Sequence, residues 1–180
     1  EGEILQLTNK NNLAIDTITY LQIITQKTAK LFEASAIMPT ILADCAATVK
    51  TAIASYGLHL GIAFQLIDDL LDYQQPTTNN LYKPVGKDLL EGRLTLPAIF
   101  LLTHGDEKQK LLFNQAINTK DPKLLAQLQT VIASSEAIAY TIEFAEKEVT
   151  LAKQAIAKFV SSAYKEAALD LLEFIIARKY

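Results

Sequence analysis

Apolar residues recur at intervals of three and four along most of this chain, the spacing that gives a helix one apolar side. The clearest case is Ile138, Ile142, Ala145, Val149, Ala152, Ile156 and Phe159, which fall on one stripe of a long helix beginning at Ser135. No run of strands separated by turn signals is found, so no sheet is predicted. Helix starts are marked by side chains able to accept from the unpaired N–H groups of a first turn. Asp16 or Thr17 opens a helix to about Ala36, Ala43 to Ser55 forms another, and Leu58 to Tyr73 a third. Leu94 to Thr103 follows, after which Gly105 and Asp106 end that helix and cap the next. Asp121 before Pro122 places a capping carboxylate ahead of a residue whose fixed φ suits the first helical position. Ser161 or Ser162 starts the last helix, which runs to about Arg178. The expectation is an all-α protein.

Half of the 180 residues are apolar, enough to bury a core of about one domain. With 17 basic and 20 acidic side chains the net charge is −3, which leaves no bulk attraction for nucleic acid or for an anionic membrane surface. No apolar run approaches the roughly 18 residues of a membrane span, so no transmembrane segment is expected, and no signal segment stands at the start. The single cysteine, Cys45, excludes an internal disulfide and suits a reducing compartment. The opening Glu1-Gly2-Glu3-Ile4 lacks an initiator Met and enters a helix in mid-course. Residues 1–180 are therefore expected to be the C-terminal part of a single all-α domain.

Charge interrupts the apolar pattern most sharply in Gly61-Ile-Ala-Phe-Gln65-Leu-Ile-Asp68-Asp69-Leu-Leu-Asp72. On a helix Asp68 and Asp72 project on one side, with roughly 5–6 Å between their Cβ atoms, and Gln65 lies one turn earlier on that side. Two anionic oxygens that close repel by about 3 kcal/mol at an effective dielectric near 20. A cation between them would turn repulsion into binding; a solvated acidic edge paired with lysines is the other reading. Carboxylates with room for water suit Mg²⁺, which is commonly shared with substrate phosphates. Leu70 and Leu71 fill positions where a calcium loop would carry ligands, and one Cys with two distant His do not make a zinc site.

After a break at Gln74–Asn80 the chain reads Leu81-Tyr82-Lys83-Pro84-Val85-Gly86-Lys87-Asp88-Leu89-Leu90-Glu91-Gly92-Arg93-Leu94-Thr95-Leu96-Pro97, a loop by its Pro and Gly content. Lys83, Lys87 and Arg93 bring cations to the acidic helix, and Lys27-Thr28 sets a Lys beside a hydroxyl on another helix. Carboxylates, a divalent metal and basic side chains are the parts of a diphosphate clamp. His59 and His104 are read as structural, Tyr56, Phe64 and Tyr73 as core, with Phe64 the one that could instead wall an apolar channel, and Arg178 as a partner of the last helix's C-terminal dipole.

Four blocks together resemble the trans-prenyltransferases that make long-chain polyprenyl diphosphates. They are Glu1–Leu7, Lys27-Thr-Ala-Lys-Leu-Phe32, Gly61–Asp72 and Gly86–Pro97, in order and at family-like spacing. The resemblance implies an antiparallel helical bundle of the isoprenoid synthase type, here incomplete at its N-terminus. It implies a Mg²⁺-dependent, cytoplasmic homodimer that condenses isopentenyl diphosphate with an allylic prenyl diphosphate. It also implies that Asp68 is the principal metal ligand, with Asp72 and Asp69 assisting directly or through water. Lys27, Gln65, Asp68 and Lys83 would be catalytic, and Lys27, Thr28, Gln65, Lys83 and Arg93 would hold the diphosphate. Tyr82 departs from the family's usual Gly at that position. The family's first aspartate-rich motif and its isopentenyl diphosphate site have no candidates in these residues, so the chain alone is expected to be inactive. The competing functions are another isoprenoid enzyme on the same scaffold, such as a terpene cyclase or head-to-head synthase, and an accessory helical subunit of a heteromeric prenyltransferase. The Glu91–Pro97 stretch favours chain elongation over the former, and the intact Asp68, Asp69 and Asp72 argue against the latter.

Overall fold

The computed structural model of the chain describes residues 1–73 and 86–178, and every regular element among them is helical. In order these are α1 (Gly2–Thr8), α2 (Thr17–Ile24), a π turn (Thr25–Ala29), α3 (Lys30–Leu42), α4 (Ala47–Leu71), α5 (Lys87–Glu91), α6 (Leu96–His104), α7 (Glu107–Thr119), α8 (Pro122–Ala133), α9 (Ala137–Ala155) and α10 (Ala163–Ala177). They group into two compact units, a first of Glu1–Gly2, Leu21–Ile67 and Ile142–Tyr180 and a second of Glu3–Tyr20 and Asp68–Thr141. The all-α expectation holds throughout the described residues.

In the first unit, two glycines stand in the interior of the longest helix. A Cβ built on Gly57 would lie 2.7 Å from Ala36 Cβ and 2.8 Å from the Phe32 carbonyl oxygen, and one on Gly61 would lie 2.6 Å from Ala29 Cα. The backbones of α4 and of the α3 region meet at distances only glycine permits. This explains a difference from the sequence reading, which broke the chain between Ser55 and Leu58: α4 runs without interruption through Gly57, because the glycine serves a contact rather than a turn. The helix expected to stop near Ala36 likewise continues to Leu42, passing through Pro39.

The apolar stripe predicted for α9 holds in its middle, while Ile138 and Ile142 are only half-buried and Phe159, also half-buried, lies past the helix end at Ala155. Ala145, Val149 and Ala152 are buried with Leu60, Ala63, Leu66, Leu172 and Ile175, and Ile156 stays buried just beyond the helix end. Polar side chains fix α4 against two further partners. The Tyr56 hydroxyl donates to the Ala168 carbonyl of α10 at 2.9 Å, and His59 Nδ1 lies 2.6 Å from Glu148 Oε2 of α9. Burial pushes the Tyr56 hydroxyl above its usual pKa, so it remains a donor.

In the second unit the end caps follow the sequence closely. Asp106 Oδ1 accepts from the Gln109 N–H at 2.8 Å while Gln109 Oε1 accepts from the Asp106 N–H at 2.9 Å, a reciprocal capping box. Asp121 accepts from the Lys123 N–H at 2.7 Å ahead of Pro122. These caps orient α7 and α8, which pack on each other and on α6 around Phe113, Ile117, Leu128 and Ile132. The stretch around Gly86–Gly92, read as loop, contains the short α5. Gly86 and Gly92 flank it at φ +79° and +74°, in the left-handed region that costs glycine nothing. No helix among the described residues is long and apolar enough to cross a membrane.

Candidate active site

The residues singled out by sequence divide between the two units. In the first, Lys27 and Thr28 both lie in the π turn, where the Lys30 N–H reaches back five residues to the Thr25 carbonyl. Thr28 Oγ1 donates to Gln65 Oε1 at 2.8 Å, which brings together two of the predicted diphosphate-binding residues. Phe64 packs beside Phe32, ring centroids 5.3 Å apart, and carries the Arg178 guanidinium 5.1 Å above its face. Arg178, expected to serve the dipole of the last helix, therefore also makes a cation–π contact.

In the second unit the aspartates are held individually. Asp69 is only 8% exposed, and its Oδ2 accepts from the Tyr20 hydroxyl at 2.7 Å. Burial, reinforced by the Asp69 charge, drives the Tyr20 pKa well above its ordinary value, so the phenol stays protonated and donates. Asp72 is 6% exposed; its Oδ2 accepts from the Asp88 N–H at 2.9 Å and its carbonyl accepts from the Gly86 N–H at 3.0 Å. Asp68 is half-buried at the end of α4.

Asp88 is the functional candidate that sequence reading missed. Its Oδ1 accepts from Arg93 Nε at 2.9 Å and Arg93 Nη2 at 2.6 Å, while the same Nη2 lies 3.0 Å from Glu91 Oε2. Burial and then the neighbouring Asp72 charge raise the Asp88 carboxyl above its usual pKa, and Arg93 opposes both. For Arg93, burial works against its charge, but Asp88 and Glu91 more than offset that, so the guanidinium stays charged. The available signal was an acidic residue between two glycines, five positions before an arginine. Arg93, predicted to hold substrate, is thus tied to two carboxylates of its own segment.

Lys83 and Tyr82 lie outside the described residues. Lys87 sits 3.7 Å from Glu91 on the surface of α5 and joins none of the other candidates. His104 stacks on Phe100, centroids 4.4 Å apart, a structural placement as expected. A cavity of about 470 Å³ on α9, lined by Glu143, Glu146, Lys147, Thr150 and Leu151, touches no predicted site residue.

Among the described residues no three His, Cys, Asp or Glu side chains gather into a ready-made metal cluster. The donors on offer are carboxylate oxygens, which suit a hard cation. Magnesium ordinarily takes only one or two carboxylates and completes its octahedron with water and substrate phosphate. Asp68, Asp69 and Asp72 fit that mode of binding better than an all-protein cage.

Residues 1–134 match the model of the polyprenyl synthetase family. The chain is 37% identical over 179 residues to an octaprenyl diphosphate synthase of Escherichia coli, covering 99% of this chain and 55% of that protein. Against an octaprenyl diphosphate synthase of Haemophilus influenzae the identity is 34% over 181 residues, covering 100% of this chain and 55% of the relative. The chain spans about half the length of the curated relatives it matches. A polyprenyl synthase from Caulobacter crescentus, solved in complex with calcium and isoprenyl diphosphate, superposes with a TM-score of 0.91 at 32% identity, over 99% of this chain and 55% of that one. A heptaprenyl diphosphate synthase from Staphylococcus aureus gives a TM-score of 0.91 at 28% identity, over 99% of this chain and 56% of that one.

Proposed function

Since the chain belongs to the polyprenyl synthetase family, we propose that it forms the C-terminal part of a prenyltransferase that joins isopentenyl diphosphate to an allylic prenyl diphosphate. The product is a longer all-trans polyprenyl diphosphate, and turnover needs polypeptide beyond these 180 residues. The observation that carries this reading is the family match over residues 1–134, which takes in every residue of the candidate site. The Caulobacter relative's complex with a divalent cation and an isoprenyl diphosphate supports the ligand chemistry.

In this reading the allylic C–O bond breaks, the isopentenyl double bond attacks the resulting cation and a proton is lost. Lys27 and the Thr28 hydroxyl bind oxygens of the departing diphosphate, Thr28 by turning its single O–H from Gln65 Oε1, where it rests at 2.8 Å, to a phosphate oxygen. Magnesium, when bound, supplies the concentrated positive charge that makes diphosphate a good leaving group. Asp68 would be its principal ligand, with Asp72 and Asp69 assisting directly or through water. Tyr20 holds Asp69 and the Asp88 N–H holds Asp72, so both carboxylates are aimed before substrate arrives. Lys83 and Arg93 add positive charge, Arg93 by exchanging Asp88 and Glu91 for phosphate oxygens. Phe64, packed beside Phe32, contributes apolar wall, as an allylic cation survives only where water is kept out. A homodimer working in the cytoplasm completes the proposal.

The test is Asp68→Ala in the full-length protein, assayed with isopentenyl and allylic diphosphates. Turnover is expected to fall on the order of 10²–10³-fold, as when one transition-state charge stabiliser is removed, with the far-ultraviolet circular dichroism unchanged. Turnover equal to wild type would remove Asp68 from the mechanism.

A further inference from the structure

We propose that Gly2 and Gly61 are positioning residues for the allylic diphosphate, because they clasp the π turn from two sides and so set the direction of Lys27 and Thr28. The inference rests on the proposed role of those two residues as diphosphate contacts. A π turn places one extra residue in a helical turn, which rotates everything after it by about 100° relative to a regular helix. Its wider hydrogen-bonded ring is poorer than the α alternative, and it persists where neighbours enforce it. Here both neighbours are backbone. A Cβ on Gly2 would meet the Lys27 N, would lie 2.7 Å from Lys27 Cα and would lie 2.8 Å from the Gln26 carbonyl carbon. On the other side, a Cβ on Gly61 would lie 2.6 Å from Ala29 Cα, 3.0 Å from Phe32 Cβ and 3.1 Å from Ala29 Cβ.

The three residues of the turn that carry or adjoin the chemistry, Lys27, Thr28 and Ala29, are thus bounded by two peptide backbones rather than by side chains that could swing away. Gln65, four residues after Gly61 on α4, lies on the same side of that helix. The face that presses on Ala29 therefore also supplies the partner of Thr28, so contact and hydrogen bond report one register. A side chain must push the turn aside by about 0.8 Å at Gly61, and by more at Gly2, to reach the 3.4 Å of ordinary contact. Displacements on this scale at a substrate-positioning group are costly, of order 10²-fold for about 1 Å.

Gly57 provides the control. Its Cβ would clash as severely, at 2.7 Å from Ala36 Cβ and 2.8 Å from the Phe32 carbonyl oxygen, but beyond the π turn. The experiment compares Gly2→Ala, Gly61→Ala and Gly57→Ala in the full-length protein, with thermal midpoints measured beside steady-state kinetics for each substrate. Wild-type elongation of an allylic diphosphate is the first arm, and its absence would strike the proposed function itself. Given that activity, Gly2→Ala and Gly61→Ala are expected to raise KM for the allylic diphosphate at least tenfold while KM for isopentenyl diphosphate stays within threefold. Gly57→Ala is expected to lower the thermal midpoint with both KM values within threefold of wild type. The inference is overturned by folded Gly2→Ala and Gly61→Ala variants with unchanged allylic KM, or by a Gly57→Ala variant that raises it equally. Should either variant fail to fold, the other decides by the same comparison, and if neither folds while Gly57→Ala does, the role is structural and the inference fails.

Discussion

Replacing Tyr20 by Phe removes one oxygen and leaves the ring in place, so its effect isolates a single buried hydrogen bond. The hydroxyl donates at 2.7 Å to a carboxylate that is 8% exposed, where water has little access to take over. A hydrogen bond to a charged group contributes about 1.5–3 kcal/mol, and the loss is at the upper end where the acceptor is left buried. The expected change is therefore about 2 kcal/mol, or on the order of 30-fold in the folding equilibrium. Urea denaturation of wild type, Tyr20→Phe, Asp69→Ala and the double variant forms a cycle in which packing effects common to both cancel. The coupling energy should lie between about 1.5 and 3 kcal/mol. A value under about 0.5 kcal/mol, the usual scatter of independent sites, would mean that Tyr20 does not hold Asp69, and the preorganisation of the acidic segment would lose its main support. On the proposed function the cycle also has a kinetic arm: in the full-length protein Tyr20→Phe should weaken the dependence of rate on magnesium while helicity is preserved.

Gly92→Ala should destabilise more than Gly86→Ala. Both incur the strain of a left-handed residue, about 1–2 kcal/mol, but the new Cβ at 92 collides with Asn11 Oδ1, already bonded to Lys120 Nζ at 2.9 Å, whereas at 86 it meets only the movable end of Gln129. Thermal melts giving the reverse order would refute this. Tyr56→Phe should cost about 1 kcal/mol near neutral pH through the lost bond to Ala168. Burial raises the Tyr56 pKa, so its contribution is whole below the unfolded value of about 10 and declines as pH climbs through the raised one. The stability gap between wild type and Tyr56→Phe should accordingly narrow above about pH 10, and a gap that widens there would contradict the assignment.

What could be read in advance was what depends on neighbours in sequence. Asp106 with Gln109, Asp121 before Pro122 and Ser162 ahead of α10 are caps whose donors lie two or three residues away, and each forms as spaced. The α9 stripe is of the same kind, since a period of three and four is a local property. The acidic segment was visible because three carboxylates among leucines contradict burial unless something compensates them. Hidden from sequence were features made by distant segments. Gly57 looks identical to a helix breaker until Phe32 and Ala36 are known to lie against it. Tyr20 is 49 residues from Asp69, and nothing local distinguishes it from a core aromatic. Arg93 could be seen as a cation for substrate, but not that Asp88 and Glu91 already hold it.

The glycines of α4 also bound what engineering for heat resistance can achieve. Exchanging an interior helical glycine for alanine ordinarily gains about 1 kcal/mol through reduced chain entropy. At 57 and 61 the gain is barred, because the methyl would have to share space with the Phe32 carbonyl and the Ala29 backbone. Thermostabilisation of this helix has to come from its wet side, where Thr48 and Thr51 are exposed and are weak helix formers. Directed evolution toward tolerance of high temperature should therefore accumulate changes at those threonines while both glycines persist.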